Sequence, residues 1–139
     1  MAPYYAQGEQ DRAASSAMDA IVAWQRIRVE GQSMTPTLLP GDLLLVRHRA
    51  PVVNGAMVLA TFRSRPDLLV IKRAVREQDG GWILISDNPR AGSDSRQYGV
   101  ADVHARVRWI WRPAAAGQPA AWLRSKVPRR AQVQSPLGL

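Results

Sequence analysis

The sequence predicts a mostly-β domain, and three observations carry the prediction. Short apolar runs recur between turn residues from residue 42 onward. "VHARVRWIW" (103–111) alternates apolar and polar residues, and "QDGG" (78–81) offers glycine where a tight hairpin needs positive φ. At 139 residues the chain is long enough for one domain with a buried core.

Taken in order, "MAPYYAQGEQDR" (1–12) shows no periodicity and is expected to be loosely attached. "AASSAMDAIVAWQRI" (13–27) has helical composition, with Met18, Ile21 and Val22 forming an apolar face, and predicts a short N-terminal helix; it could lie in a membrane interface through Trp24, but packing on the domain is favoured. Strands are predicted over 42–49, 56–63, 67–76 and 81–86, separated by Pro51 to Gly55, by "SRP" at 64–66 and by the "QDGG" turn. In the strand at 103–111, Val103, Ala105, Val107, Trp109 and Trp111 are expected on one face, with His104, Arg106 and Arg108 on the other. Beyond Pro113 the periodicity stops, and four basic residues with no acid predict a basic flexible tail. The expected organisation is therefore a flexible N-terminus and helix over 1–27, the β domain over 28–112, and the tail over 113–139.

Composition removes several chemistries. The chain has no cysteine, which excludes disulfides, thiol nucleophiles and Cys-ligated zinc. His48 and His104 are the only histidines, no H-E-x-x-H occurs, and Asp87, Asp94 and Asp102 lack calcium-loop spacing; no metal or other cofactor is expected. No phosphate-binding G-x-x-x-x-G-K-[ST] loop is present. No apolar run reaches the roughly 18 residues that span a bilayer, and no secretory leader is evident, so a cytoplasmic location is expected. The net charge of +8 suits an anionic surface, and a solvated arginine-rich end accounts for it equally.

One residue breaks the pattern. Arginine outnumbers lysine seventeen to two, and Lys72 is the only lysine in the predicted domain. In a strand it shares a face with Leu68, Val70 and Ala74, which places an ammonium on an apolar surface. Its stem could snorkel to water, or its charge could protect a strand edge. Alternatively, desolvation lowers its pKa until the neutral amine can serve as a base, which arginine cannot do. A serine upstream would be its natural partner. The histidines offer a weaker base, because His48 lies between arginines and His104 falls on a polar face. "GQSMT" also lacks the closing glycine of a G-x-S-x-G elbow.

Three segments, taken together and in order, resemble the type I signal peptidase family of serine–lysine proteases, a family related in fold to the LexA-like autoproteases. "GQSMTPTLLPGDLLLV" (31–46) resembles its nucleophile segment, "VIKR" (70–73) its general-base segment, and "SDNPRAGSDSRQYG" (86–99) its third, lysine-supporting segment. The resemblance covers about 27–112 and implies a coiled β-sheet domain with a shallow apolar groove. It implies Ser33 as nucleophile and Lys72 as general base, with Gly31, Met34 and Pro36 shaping the pocket. Asp87, Asn88, Ser93, Asp94, Ser95 and Arg96 would hold the third segment, Asp94 and Arg96 as an ion pair. Two positions depart from the family pattern. Gly92 stands where a lysine-orienting serine is usual, leaving Ser93, Ser95 or a water to replace it, and Ser86 stands where the segment opens with glycine.

The expected partner is a protein or peptide, with no nucleic acid, and the oligomeric state is left open. The unanchored chain with a closing "RVRWIWRP" most resembles the maturation proteases of nickel-type superoxide dismutase, which remove an amino-terminal propeptide from a precursor. Two alternatives stand beside it. One is a signal peptidase-like enzyme cleaving exported proteins, with the basic tail in peripheral contact with the membrane. The other is a β domain that binds through its basic surface without cleaving.

Overall fold

A computed structural model of the chain describes residues 23–128. Seven strands and one short helix follow in order: β1 (Trp24–Arg28), β2 (Leu43–His48), β3 (Met57–Phe62), β4 (Arg65–Gln78), β5 (Gly81–Ile85), α1 (Ser95–Tyr98), β6 (Ala101–Arg112) and β7 (Ala121–Arg124). All pairings are antiparallel, in the order β1-β2-β6-β3-β4-β5, with β7 added to β6. β6 is the hub. Its first half pairs with β3, its second half with β2 and β7, and its first residue, Ala101, meets Trp82 of β5. That last pairing closes β3, β4, β5 and β6 on themselves.

The sheet coils because its long strands carry bulges. Register shifts occur at Leu45/Val46, Thr61/Phe62, Leu59/Ala60 and Ala74/Arg76. Three of these shifts add one residue to one strand, and that at Thr61/Phe62 adds three to β4; such insertions increase the local twist. Two cores result. Val29, Met34, Leu38, Leu44, Val46, Met57, Leu59, Ala105, Val107 and Ile110 pack on one face. Ala56, Val58, Ala60, Phe62, Ala74, Leu84 and Ala101 fill the closed quarter on the other.

Three expectations are corrected. The predicted helix over 13–27 is contradicted at its C-terminal end, where Trp24–Arg28 form β1 against Leu43–Arg47; residues 13–22 lie outside the described residues. Tertiary pairing decides here: Ile27, opposite Leu44, packs on the first core, while Arg26 and Arg28 face out. The stretch expected as a flexible tail carries β7, because a turn bridged by Ala115 and Gln118 returns the chain alongside Trp109–Arg112. Residues 129–139 of that stretch lie outside the described residues. Finally, the single-face reading of 103–111 fails at Arg108. Val46 pairs with Val107 but Leu45 pairs with Trp109, so Arg108 is an extra residue. After it, Ile110 is the core residue, and Trp109 and Trp111 turn outward.

A buried ion pair fixes the loop between β1 and β2 to the end of β6. The Asp42 carboxylate accepts hydrogen bonds from Arg112 Nε at 3.1 Å, its Nη2 at 2.7 Å, and the Leu39 amide at 2.9 Å. Arg112 also donates to the Thr37 carbonyl. Asp42 is 1 % exposed, so removing its partner strands a buried carboxylate. Arg112→Ala is expected to lower stability by about 2–3 kcal/mol, somewhat discounted because Arg112 is partly solvated. Arg65→Ala, which breaks a pair in open solvent, should leave the urea midpoint unchanged. Equal midpoint shifts for both variants would contradict the assignment.

Candidate functional site

The loop after β1, the middle of β4 and the segment after β5 converge on one point. β5 pairs with β4 only over Arg73–Gln78, so the chain leaving β5 at Ile85 brings Ser86 alongside Lys72. Lys72 Nζ donates to Ser86 Oγ at 3.0 Å in a buried hydrogen bond. From the other side comes the loop that carries Ser33, its carbonyl accepting from the Asn88 amide at 2.9 Å. Gly92 closes the cluster. A Cβ at Gly92 would stand 2.5 Å from Ser33 Cβ, 3.0 Å from Lys72 Nζ and 3.3 Å from Ser86 Oγ. A single methyl-sized point thus touches all three side chains. With φ at +82°, only glycine fits there without strain.

Polar contacts hold this arrangement from behind. Arg73, next to Lys72, points the other way and grips the Asp87 carboxylate with Nε at 3.0 Å and Nη2 at 2.6 Å. Its third nitrogen donates to the Gly55 carbonyl at 2.8 Å. Asp87 also accepts the Thr37 hydroxyl at 2.6 Å, which ties the Ser33 loop to β4. Asn88 Nδ2 donates to the Gln32 carbonyl and to Thr35 Oγ1, both at 3.0 Å. Asp94 caps α1 by accepting the Arg96 amide, pairs with the Arg96 guanidinium at 2.8 Å, and accepts the Ser86 amide at 3.0 Å. The third segment therefore positions Ser86 through its own backbone.

The electrostatics follow from burial. Lys72 is 4 % exposed, and desolvation holds its ammonium below the ordinary lysine value of 10.5, with the negative charge of Asp94 drawing it partly back. For Asp94 burial acts to raise the pKa. Hydrogen bonds from the Arg96 side chain and from the Ser86 and Arg96 amides outweigh it and leave the carboxyl below its usual range.

Beside this cluster runs a groove of about 210 Å³, with Ile27 to Gly31 on one wall and Leu69 to Lys72 on the other. Ser33 and Met34 lie on its floor with Leu38 and Leu59. Past the last β5 pairing, the edge of β4 over 67–72 has no strand partner among the described residues. Among the described residues, no acceptor takes the Ser33 amide N–H either.

The sequence-predicted residues divide by role. Ser33 and Lys72 meet at Gly92; Gly31, with positive φ, sits on the groove wall with open space where a Cβ would be. Met34 is buried in the groove floor and accepts the Asp87 amide through Sδ at 3.4 Å. Pro36, preceded by a cis peptide bond, is exposed and does not line the groove. Asp87, Asn88, Asp94 and Arg96 form the supporting network. Neither serine expected to replace the missing hydroxyl reaches the lysine. Ser95 Oγ accepts the Leu84 amide at 2.8 Å, and Ser93 makes no side-chain hydrogen bond among the described residues. Ser86, which sequence reasoning passed over, supplies the contact. His48 contacts Gln25 and His104 contacts Thr61, both on the exposed surface.

A family model described as Peptidase S24-like matches residues 10–107. No curated protein matches the chain.

Burial of Lys72 makes a prediction that needs no assay of activity. Its folded-state pKa lies below the unfolded value, so at low pH the folded protein bears the full cost of a buried ammonium. That cost disappears as pH rises through the folded pKa toward 10.5. Lys72→Met is therefore expected to stabilise the protein most at about pH 6, with the advantage shrinking by about pH 10. Urea unfolding of both proteins across this range measures it, and a difference independent of pH would contradict the burial of a charged group.

Proposed function

Because the chain belongs to the Peptidase S24-like family, a family of serine proteases, we propose that it is an endopeptidase with Ser33 as nucleophile and Lys72 as general base. One observation carries the proposal: the point at Gly92 that touches Ser33, Lys72 and Ser86 together. Ser86 orients the amine, and burial lowers its pKa from the ordinary lysine value, which favours the neutral form that can act as a base. Neutral Lys72 takes the proton from Ser33 Oγ as the oxygen attacks the scissile carbonyl. The Ser33 amide N–H meets the oxyanion in this reading, supported by its lack of an acceptor among the described residues. The lysine proton then goes to the leaving amine, and the freed base activates water to release the acyl group.

The substrate is a protein segment in extended form. The open edge of β4 offers backbone hydrogen bonds to such a segment, as in strand addition. The groove is small and lined largely by aliphatic side chains, with Arg28 and Glu30 at one wall, which favours small residues near the cut. For the physiological substrate, we propose the amino-terminal propeptide of a nickel superoxide dismutase precursor. The resemblance of residues 86–99 and of the closing "RVRWIWRP" supports that choice.

Ser33→Ala and Lys72→Ala are each expected to cut kcat by at least about 10³-fold, with the double variant no slower than the worse single one, because the pair acts as a unit. Lys72→Arg should match Lys72→Ala, since arginine keeps its proton. Gly92→Ala should lose about 10²-fold by displacing Ser33. The wild-type rate should climb with pH as Lys72 loses its proton. Incubation with the precursor, read as product mass, tests both levels. Cleavage of another extended peptide but not of the precursor would overturn the substrate alone. Substantial activity in Lys72→Arg would overturn the mechanism.

A further inference from the structure

Four of the five tryptophans, Trp24, Trp109, Trp111 and Trp122, stand on one outward face of β1, β2, β6 and β7. The strand register sets them in rows. One row reads Arg26, Leu45, Trp109, Arg124 across the four strands, and the next reads Arg28, Leu43, Trp111, Trp122. Trp24 lies beside Arg47 at the margin. Trp122 is 58 % exposed, with Trp109 and Trp24 near 40 % at 40 % and 38 %. β1, β2 and β7 contain no acidic residue, and the only one on β6, Asp102, sits at its opposite end paired with Arg63.

We propose that this face docks on an anionic lipid bilayer, with the indoles in the headgroup region and the arginines on lipid phosphates. The charge selects an anionic partner, and a second copy of the chain would bring arginine against arginine. Between anionic partners, ring geometry decides. Bases of a single-stranded nucleic acid stack on open ring faces. Here Trp111 and Trp122 pack on each other at 5.1 Å and 50°, and the Arg47 guanidinium covers Trp24 at 5.5 Å. What is left is a continuous apolar strip edged by cations, the composition that favours a membrane interface. Here the docking element is a sheet face, to which the C-terminal stretch contributes Trp122 and Arg124. It is independent of peptide cleavage.

The test mixes the full-length protein with vesicles of phosphatidylcholine alone or with phosphatidylglycerol, and reads co-sedimentation and tryptophan emission. Only Trp82 lies off the face, half-buried beside the closed quarter, so emission reports mainly the docking residues. Binding is expected to be at least about tenfold tighter with phosphatidylglycerol and weaker in high salt. Emission should shift to the blue and be quenched by brominated lipid. Trp109→Gln/Trp122→Gln and, separately, Arg26→Glu/Arg124→Glu should each lose binding, while Ser33→Ala keeps it. No binding to phosphatidylglycerol vesicles would overturn the proposal. So would binding without brominated-lipid quenching, a dimer in solution sealed by these tryptophans, or a single-stranded oligonucleotide that binds the face in preference to vesicles.

Discussion

Burying one ammonium group is the constraint around which this domain is arranged. A charged lysine at 4 % exposure is costly unless it is matched by a counter-charge in contact or gives up its proton. Lys72 has a hydroxyl in contact and a carboxylate only at longer range, through Asp94, which is already engaged by Arg96 and two backbone amides. Desolvation therefore prevails, and the amine is poised to hold or release a proton. A residue of this kind marks a functional site more strongly than a paired charge does.

The other buried and half-buried charges show why lysine occupies this position alone. Arg73 with Asp87, Arg96 with Asp94, and Arg112 with Asp42 each use the planar guanidinium fork on one carboxylate. Two of these pairs join separate segments, Arg73–Asp87 linking β4 to the segment after β5 and Arg112–Asp42 the first loop to the end of β6, while Arg96–Asp94 is local to the start of α1. The two-pronged contacts fix geometry, as suits a frame. The frame fixes the Ser33 loop through Thr37 and Asn88, and it fixes Ser86 through its amide. Specificity of geometry is thus obtained from paired charges, around one buried amine whose pKa is lowered by desolvation.

Much of this was legible in the sequence, and the failures share a cause. Five strands were expected within about two residues of their ends, because their apolar runs are bounded by strong turn signals. The convergence of Ser33, Lys72 and the third segment was implied by the resemblance that those three segments carry together. Ser86 was missed because the hairpin count is altered by a bulge. An unbroken ladder from Gln78 and Gly81 would set Ser86 opposite Arg73; the unpaired Val75 moves it opposite Lys72. The same kind of event at Arg108 turned Trp109 and Trp111 from expected core to exposed face. A one-residue slip reverses every side chain beyond it, and alternation alone carries no mark of where the slip occurs. β1 and β7 escaped because short edge strands draw their stability from pairing more than from their own composition.

Strand β1 separates the two surfaces that matter most. Ile27 and Val29 line the groove and Arg26 faces the tryptophan rows, while Arg28, which stands in one of those rows, also borders the groove. Cleavage and docking thus use opposite sides of one strand, and each can be altered without the other. Both depend on the fold, but only the groove depends on the state of Lys72. The chain's two lysines, Lys72 and Lys126, make that state directly measurable by titrating the Cε resonances of ¹³C-lysine-labelled protein. Lys72 is expected to titrate below 10.5, with its midpoint moved by Ser86→Ala. A Lys72 midpoint at or above 10.5 would contradict the buried, neutral base on which the account rests.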